Sequence, residues 1–131
     1  MGILLVEDDA GARDALSDIL RDEGFEVATA ENGREALSYL ETAPAPCLIL
    51  LDLVMPVMDG WEFRERQLRE PRLQAIPVVV LTATAGQGVA GVAESDILRK
   101  PVDFMALLAQ VERHCASHGA SGAAAPGGAP A

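Results

Sequence analysis

The sequence has no long hydrophobic run and few basic residues. No apolar stretch among the 131 residues approaches the roughly 20 that a membrane-spanning helix needs. The first residues also lack the basic flank of a signal peptide, and we therefore expect a cytoplasmic protein with no membrane association. Ten Lys and Arg residues stand against twenty Asp and Glu, a formal net charge of -10, which argues against nucleic-acid binding.

Cysteine and lysine are scarce as well. Cys47 and Cys115 are the only cysteines and lack the spacing of metal ligands, so the simplest expectation is two buried thiols. Lys100 is the only lysine, because the other nine basic residues are arginines. Lysine carries a compact point charge on a flexible stem. Position 100 is therefore a candidate functional position.

Strand-like and helix-like apolar patterns alternate along the chain. Short apolar runs predict strands, and apolar residues at helical spacing predict a helix after each of the first three strands and the last. The predicted strands cover residues 3–6, 25–29, 47–51, 78–81 and 97–98. The first, third and fourth are almost continuously apolar, as in parallel sheets covered on both faces. The pattern predicts an open five-stranded α/β sandwich with right-handed crossovers.

Residues that can cap helices stand at the predicted helix starts. The caps are Asp9, Asn32 (with Glu35), Asp59 (with Glu62) and Asp103. From Gly119 onward every residue is Gly, Ala, Ser or Pro. We therefore expect one domain over residues 1–118 and a disordered tail over residues 119–131.

Polar residues fall where predicted strands end. Glu7 and Asp8 follow the first strand, Asp52 ends the third, Thr82 follows the fourth and Lys100 the fifth. In an open parallel sheet these ends share one edge, where ligands bind. Carboxylates placed close together repel one another unless a cation or a proton intervenes, and hard oxygen ligands suit Mg²⁺. Because a carboxylate can attack phosphorus, the pattern predicts a phosphoryl-transfer site.

Four segments resemble, in order, the motifs of the response-regulator receiver domain of two-component signal transduction. They cover residues 6–9, 51–60, 81–83 and 98–101, and the resemblance extends over about residues 3–117. It implies a chemotaxis-regulator-like, flavodoxin-like fold: a single doubly wound parallel sheet of order 2-1-3-4-5 with helices on both faces.

The resemblance also implies roles for the candidate residues. Asp52 would accept a phosphoryl group from a histidine kinase phosphohistidine, while Thr82 and Lys100 would contact that group. A Mg²⁺ or Mn²⁺ ion would be bound by Glu7, Asp8, Asp52 and the backbone carbonyl of Val54. The bond before Pro101 would be cis. The domain would be a signalling module and not an enzyme, self-catalysing only phosphotransfer and autodephosphorylation. It would switch the binding of a downstream protein, with a weak homodimer left open.

Two departures from the family concern the switch. Ile97 occupies a switch position, three residues before Lys100, where the family usually carries an aromatic residue, so the usual coupling cannot operate in that form. The segment between Thr82 and Lys100 is shorter than usual by about one helical turn. Residues 83–93 also contain three glycines, which disfavour a helix. We expect helix four to be short, irregular or partly unwound.

Other functions remain open at this point. A haloacid-dehalogenase-type phosphatase also uses an Asp nucleophile, Mg²⁺, a hydroxyl and a Lys, but it needs a second Asp two residues later, where this chain has Val54. A degenerate receiver that acts as a phosphorylation-independent protein-interaction module would fit the departures at Ile97 and residues 83–93. Flavin binding fits less well, because no Ser/Thr-rich phosphate loop follows the first strand.

Overall fold

A computed structural model describes residues 2–83 and 88–115, which contain a five-stranded parallel sheet. Its strands are β1 (Gly2–Val6), β2 (Glu26–Ala30), β3 (Leu48–Asp52), β4 (Val78–Thr82) and β5 (Ile97–Arg99). The order is β2-β1-β3-β4-β5, with every neighbouring pair parallel. The predicted sheet order is confirmed, and β2 begins one residue later than its alternating pattern indicated.

In the described residues four α-helices accompany the sheet, each preceded by a capping side chain. They are α1 (Ala10–Asp22), α2 (Gly33–Thr42), α3 (Gly60–Arg69) and α4 (Phe104–His114). The caps are Asp9, Asn32, Asp59 and Asp103, and each side chain accepts a hydrogen bond from a backbone N–H in the first turn. These predicted caps are confirmed, since capping depends on local sequence.

Both faces of the sheet are buried, because successive strand residues point to opposite faces. In β3, Ile49 and Leu51 join a core with α2 and α3, whereas Leu48 and Leu50 join a second core with α1 and α4. This double burial explains the nearly continuous apolar runs of the central strands.

The described residues between β4 and β5 contain no α-helix. A single 3₁₀ turn, Glu94–Asp96, precedes β5. We call residues 88–93 the β4–β5 connection. Its irregular backbone agrees with the expectation for helix four, and residues 84–87 lie outside the described part.

Two side chains of α3 hold the β4–β5 connection against the domain. Trp61 Nε1 donates a hydrogen bond to the Gly88 carbonyl at 3.0 Å. Arg64 Nε donates to the Ala90 carbonyl at 2.8 Å, and the Arg64 side chain is buried. Val89 packs into the core beneath α2 and α3. Contacts to α3 thus take the place of the hydrogen bonds that a helix would make within itself.

Cys47 and Cys115 form a disulfide, so the expectation of two buried thiols is wrong. Their Cα atoms lie 5.6 Å apart although 68 positions separate them in the sequence. Cys47 directly precedes β3 and Cys115 directly follows α4, and both belong to the core beneath α1 and α4. Tertiary packing brings them together, which spacing in the sequence cannot reveal.

Two other expectations concern the membrane and the tail. Within residues 2–83 and 88–115, no helix has both the length and the apolar character that a membrane crossing requires. The boundary between residues 118 and 119 lies outside the described residues, so the division into domain and tail stays a prediction.

Candidate functional site

Three carboxylates meet at the carboxyl edge of the sheet. Val6 of β1 is in register with Leu51 of β3, so Glu7 and Asp8 emerge next to Asp52. Carboxylate oxygens of these three residues all lie within 4.8 Å of one another. Glu7 is 1% and Asp52 5% exposed, whereas Asp8 is exposed. We call Glu7, Asp8 and Asp52 the carboxylate cluster.

Lys100 supplies a positive charge to the cluster. Its Nζ lies 2.8 Å from Glu7 Oε1 and 3.5 Å from Asp52 Oδ2. The Lys100 backbone N–H donates to the Thr82 carbonyl at 2.8 Å, which extends the pairing of β4 and β5 by one residue. The peptide bond between Lys100 and Pro101 is cis. The only lysine of the chain therefore lies beside Asp52, as the positions of the predicted strand ends indicated.

Arg13 fixes the backbone that carries two of the carboxylates. Its Nη1 donates to the Glu7 carbonyl at 2.9 Å and to the Asp8 carbonyl at 3.5 Å. The Asp9 N–H donates to Glu7 Oε2 at 3.2 Å. Arg13 could not be predicted as a site residue, because nothing in its spacing from Glu7 distinguishes it from the other arginines on helices.

The start of α3 packs unusually close to Asp52. The Gly60 N–H donates to the Leu53 carbonyl at 2.8 Å. A Cβ atom at position 60 would lie 2.6 Å from the Asp52 carbonyl oxygen, so only glycine fits there. In the same loop Val57 adopts a φ of 71°, which is uncommon for a β-branched residue. The loop after Asp52 therefore combines a close backbone approach at Gly60 with an uncommon backbone conformation at Val57.

The pKa values of Asp52 and Lys100 are both raised above their ordinary values. The pKa of Asp52 is raised to about 7, chiefly by burial and next by the charge of Glu7, while the charge of Lys100 opposes the rise. For Lys100, burial lowers the pKa, but the hydrogen bond to Glu7 and the charge of Asp52 outweigh burial and raise it overall. The site therefore keeps a charged lysine beside a carboxyl group that gains a proton easily in the absence of a further cation.

The other candidate residues are Thr82, Ile97 and Val54. Thr82 ends β4 one residue beyond Leu81, the register partner of Asp52, and is buried. Ile97 begins β5 opposite Val80 and packs against the core beneath α2 and α3, so it lies apart from the carboxylate cluster. Val54 is 60% exposed. The functional roles of Thr82, Ile97 and the Val54 carbonyl stay predictions.

The sheet order, the carboxylate cluster and Lys100 can be compared with known proteins. Residues 3–112 match the response regulator receiver domain. The chain belongs to this family. A Leptolyngbya boryana protein, described as an uncharacterized 14.6 kDa protein in the sodA1 3' region, is 40% identical over 119 residues, covering 88% of this chain and 90% of that protein. The response regulator PleD of Caulobacter vibrioides is 39% identical over 113 residues, covering 82% of this receiver domain and 25% of PleD.

Solved structures give the same assignment. The receiver domain of the Pseudomonas aeruginosa sensor histidine kinase PA1611, with a magnesium ion coordinated in its active-site cleft, has a TM-score of 0.78 and 28% identity, covering 89% of this chain and 100% of that one. The Vibrio cholerae chemotaxis protein CheY4 has a TM-score of 0.74 and 31% identity, covering 86% of this chain and 96% of that one.

Family membership sets the general function. Receiver domains are signalling modules of two-component systems that interact with histidine kinases and downstream effectors, and they are not conventional enzymes. The phosphatase alternative therefore gains no support. The chain spans nine-tenths of the Leptolyngbya protein but only a quarter of PleD, so activities of longer response regulators do not transfer to it.

Proposed function

We propose that this receiver domain works in the cytoplasm, accepts a phosphoryl group on Asp52 from a histidine kinase phosphohistidine, and thereby switches the binding of a downstream protein. The observation that carries the proposal is the position of Asp52. Its carboxylate is buried at the end of β3, belongs to the carboxylate cluster, and lies 3.5 Å from the ammonium nitrogen of Lys100.

Each polar residue of the site has a task in this transfer. An oxygen of Asp52 forms a bond to phosphorus while the bond from phosphorus to the histidine nitrogen breaks, and the electron pair stays on that nitrogen. Lys100 turns from Glu7 toward the phosphoryl oxygens and offsets their charge. The hydroxyl of Thr82, at the end of the neighbouring strand, donates a hydrogen bond to one of them.

The carboxylate cluster fits a hard divalent cation. Glu7, Asp8 and Asp52 offer carboxylate oxygens within 4.8 Å of one another, and Lys100 pairs with Glu7 and Asp52. Such oxygen ligands suit Mg²⁺ or Mn²⁺, with the Val54 carbonyl as a further ligand. When bound, the ion supplies positive charge that neutralises the carboxylates and the incoming phosphoryl group.

A shallow apolar groove beside the site suits an apolar helix face of the kinase that donates the phosphoryl group. The groove has a volume of about 220 Å³ and lies between α1 and the loop after β5. Ala12, Ala15 and Leu16 line one side and Val102 and Phe104 the other, while Glu7 and Lys100 border it. The two alanines leave room for an apolar helix face, which is a common way for a helix to be recognised.

Mass spectrometry of the intact protein tests the proposal. Incubation with acetyl phosphate should add one phosphoryl group in the presence of Mg²⁺ and almost none with a chelator. The Asp52→Asn variant should remain unmodified, whereas Asp22→Asn, a change at an exposed carboxylate on α1, should be labelled normally. Absence of labelling in the wild type, or labelling at another residue, would contradict the proposal and favour a phosphorylation-independent interaction module.

The groove is tested by comparing two phosphodonors. Ala15→Arg places a long side chain over the groove and should slow transfer from autophosphorylated histidine kinases of the source organism. The same variant should react normally with acetyl phosphate, because the small donor does not need the groove. Equal slowing with both donors would show that the substitution disturbs Asp52 and not kinase docking.

A further inference from the structure

The disulfide joins β3 and α4 at the ends of these elements that lie away from the proposed phosphorylation site. Cys47 immediately precedes β3, and Asp52 is the last residue of that strand. Cys115 immediately follows α4, whose first residue lies four positions after Lys100. The S–S bond therefore links the far end of the Asp52 strand to the far end of the helix that follows Lys100.

Other contacts hold the end of α4 independently of the disulfide. His114 Nε2 lies 3.1 Å from Asp96 Oδ1, and Arg113 Nη1 lies 3.9 Å from the same oxygen. Leu107 and Val111 of α4 are fully buried. A reduced cysteine packs as a small apolar residue. These contacts do not involve the cysteines and would continue to hold α4 if the disulfide opened, as a reversible linkage requires.

The two sulfur-bearing residues differ in access. Cys47 is 9% exposed and Cys115 is 2% exposed. Disulfide exchange begins when a thiolate attacks one sulfur in line with the bond and expels the other as a thiolate. Both residues are buried, and Cys47, the less buried of the two, is the one at which we expect a reductant to attack.

We propose that Cys47 and Cys115 form a redox-sensitive site, opened by attack on the Cys47 sulfur, and that the oxidised state holds α4 and the Lys100 loop more firmly against β3. The proposal rests on the cytoplasmic signalling role given above, because disulfides in that compartment are usually transient and redox-sensing. The site would make the receiver responsive to thiol redox state as well as to phosphorylation.

A dithiol can reduce the disulfide between Cys47 and Cys115 in two steps. Its first thiolate bonds to the Cys47 sulfur, the S–S bond breaks, and Cys115 leaves as a thiolate that takes up a proton. The second thiol of the reductant, after losing its proton, attacks the mixed disulfide and releases Cys47. The protein gains two electrons and two protons, and the dithiol becomes a disulfide. Oxidation by glutathione disulfide reverses these changes.

Alkylation of the full chain tests whether the linkage exists and is reversible. After incubation with glutathione disulfide and denaturation, iodoacetamide should modify neither cysteine. After mild treatment of the folded protein with a dithiol, iodoacetamide should modify both cysteines. Free thiols in the oxidised sample, or reduction only under unfolding conditions, would overturn the proposal. Asp52 takes no part in this readout, so its outcome is independent of the phosphorylation proposal.

Two single-cysteine variants test the order of attack. Cys115→Ser leaves only Cys47, and Cys47→Ser leaves only Cys115. With an aromatic disulfide reagent on the folded proteins, the Cys115→Ser variant should react at least several-fold faster. Equal rates, or a faster reaction in Cys47→Ser, would contradict attack at Cys47.

Hydrogen exchange tests the effect on α4. The amides of α4 should exchange faster in the reduced wild type than in the oxidised wild type. The double variant Cys47→Ser/Cys115→Ser should exchange like the reduced form and should not respond to reductant. Identical α4 exchange in the two redox states of the wild type would refute the coupling of the disulfide to this helix.

Discussion

Lys100 Nζ lies 2.8 Å from Glu7 Oε1, closer than it lies to the carboxylate of Asp52. Glu7 is 1% exposed, so the ammonium group is a principal partner of a charge that water hardly reaches. In the resting state Lys100 therefore compensates Glu7 first, and phosphorylation of Asp52 would draw it away from an existing bond.

Removal of this ammonium should destabilise the protein. Lys100→Met leaves the buried Glu7 without its cationic partner, and the free energy of unfolding should fall by about 1–3 kcal/mol in urea titrations with a chelator present. Arg99→Met, at the exposed neighbouring residue, should change it by less than about 0.5 kcal/mol. An unchanged free energy of unfolding in Lys100→Met would show that Lys100 is not the group that stabilises the buried Glu7 carboxylate.

The raised pKa of Asp52 predicts a pH dependence of stability in metal-free protein. The group has a pKa of about 7 when folded and an ordinary value of 3.8, so between these values the folded protein holds a proton that the unfolded chain has released. The free energy of unfolding should therefore fall as pH rises through this window, by about 1.4 kcal/mol per pH unit from this group.

The Asp52→Asn variant isolates that contribution. It lacks the titrating group, so the difference in unfolding free energy between variant and wild type should grow in the variant's favour from pH about 4 to about 7 and then level off. Denaturant titrations across this range measure the difference. Saturating Mg²⁺ should reduce it, because the ion stabilises the charged form. A pH-independent difference would argue against the raised pKa.

Gly60 should tolerate no side chain. A Cβ atom there would lie 2.6 Å from the Asp52 carbonyl oxygen, so Gly60→Ala must displace β3 or α3. Unfolding should become easier by about 1–3 kcal/mol, and labelling of Asp52 by acetyl phosphate should slow. Gly11→Ala is the matched control, since its Cβ would approach only Asp9 Oδ2, at 3.5 Å, and alanine favours the helix. Normal labelling of Gly60→Ala would show that Asp52 does not depend on this close approach.

Arg64 should contribute far more to the free energy of unfolding than the nearby Arg66. Arg64→Ala removes the hydrogen bonds to Ala90 and Gln67 and should lower the free energy of unfolding by about 1–3 kcal/mol. It should also speed hydrogen exchange in the β4–β5 connection. Arg66→Ala breaks only an exposed ion pair with Glu62 and should cost less than about 0.5 kcal/mol. Equal effects of the two substitutions would contradict the anchoring role of Arg64.

Local signals made most of the fold predictable. Asp9 and Asp59 mark helix starts because a capping side chain bonds to a backbone N–H only a few residues away. The apolar runs identified the buried strands, and the family resemblance supplied their order. The shortened, glycine-containing segment after Thr82 correctly indicated that an ordinary helix four would not form in the described residues.

Contacts between distant residues could not be predicted in this way. The disulfide between Cys47 and Cys115 depends on the packing of α4 beside β3. The anchoring of the β4–β5 connection by Arg64 likewise spans 26 positions. In the site, strand order predicted that Lys100 would lie near Asp52, but its closer bond to Glu7 depends on side-chain positions that no pattern in the sequence specifies.

The hydrogen bond from Trp61 to the Gly88 carbonyl has a spectroscopic consequence. Trp61 is the only tryptophan of the chain, so the long-wavelength fluorescence of the protein comes from one indole ring. That ring donates its hydrogen bond to the β4–β5 connection. Emission from the unlabelled protein therefore records, in real time, whether this connection stays in place when a phosphodonor or a reductant is added.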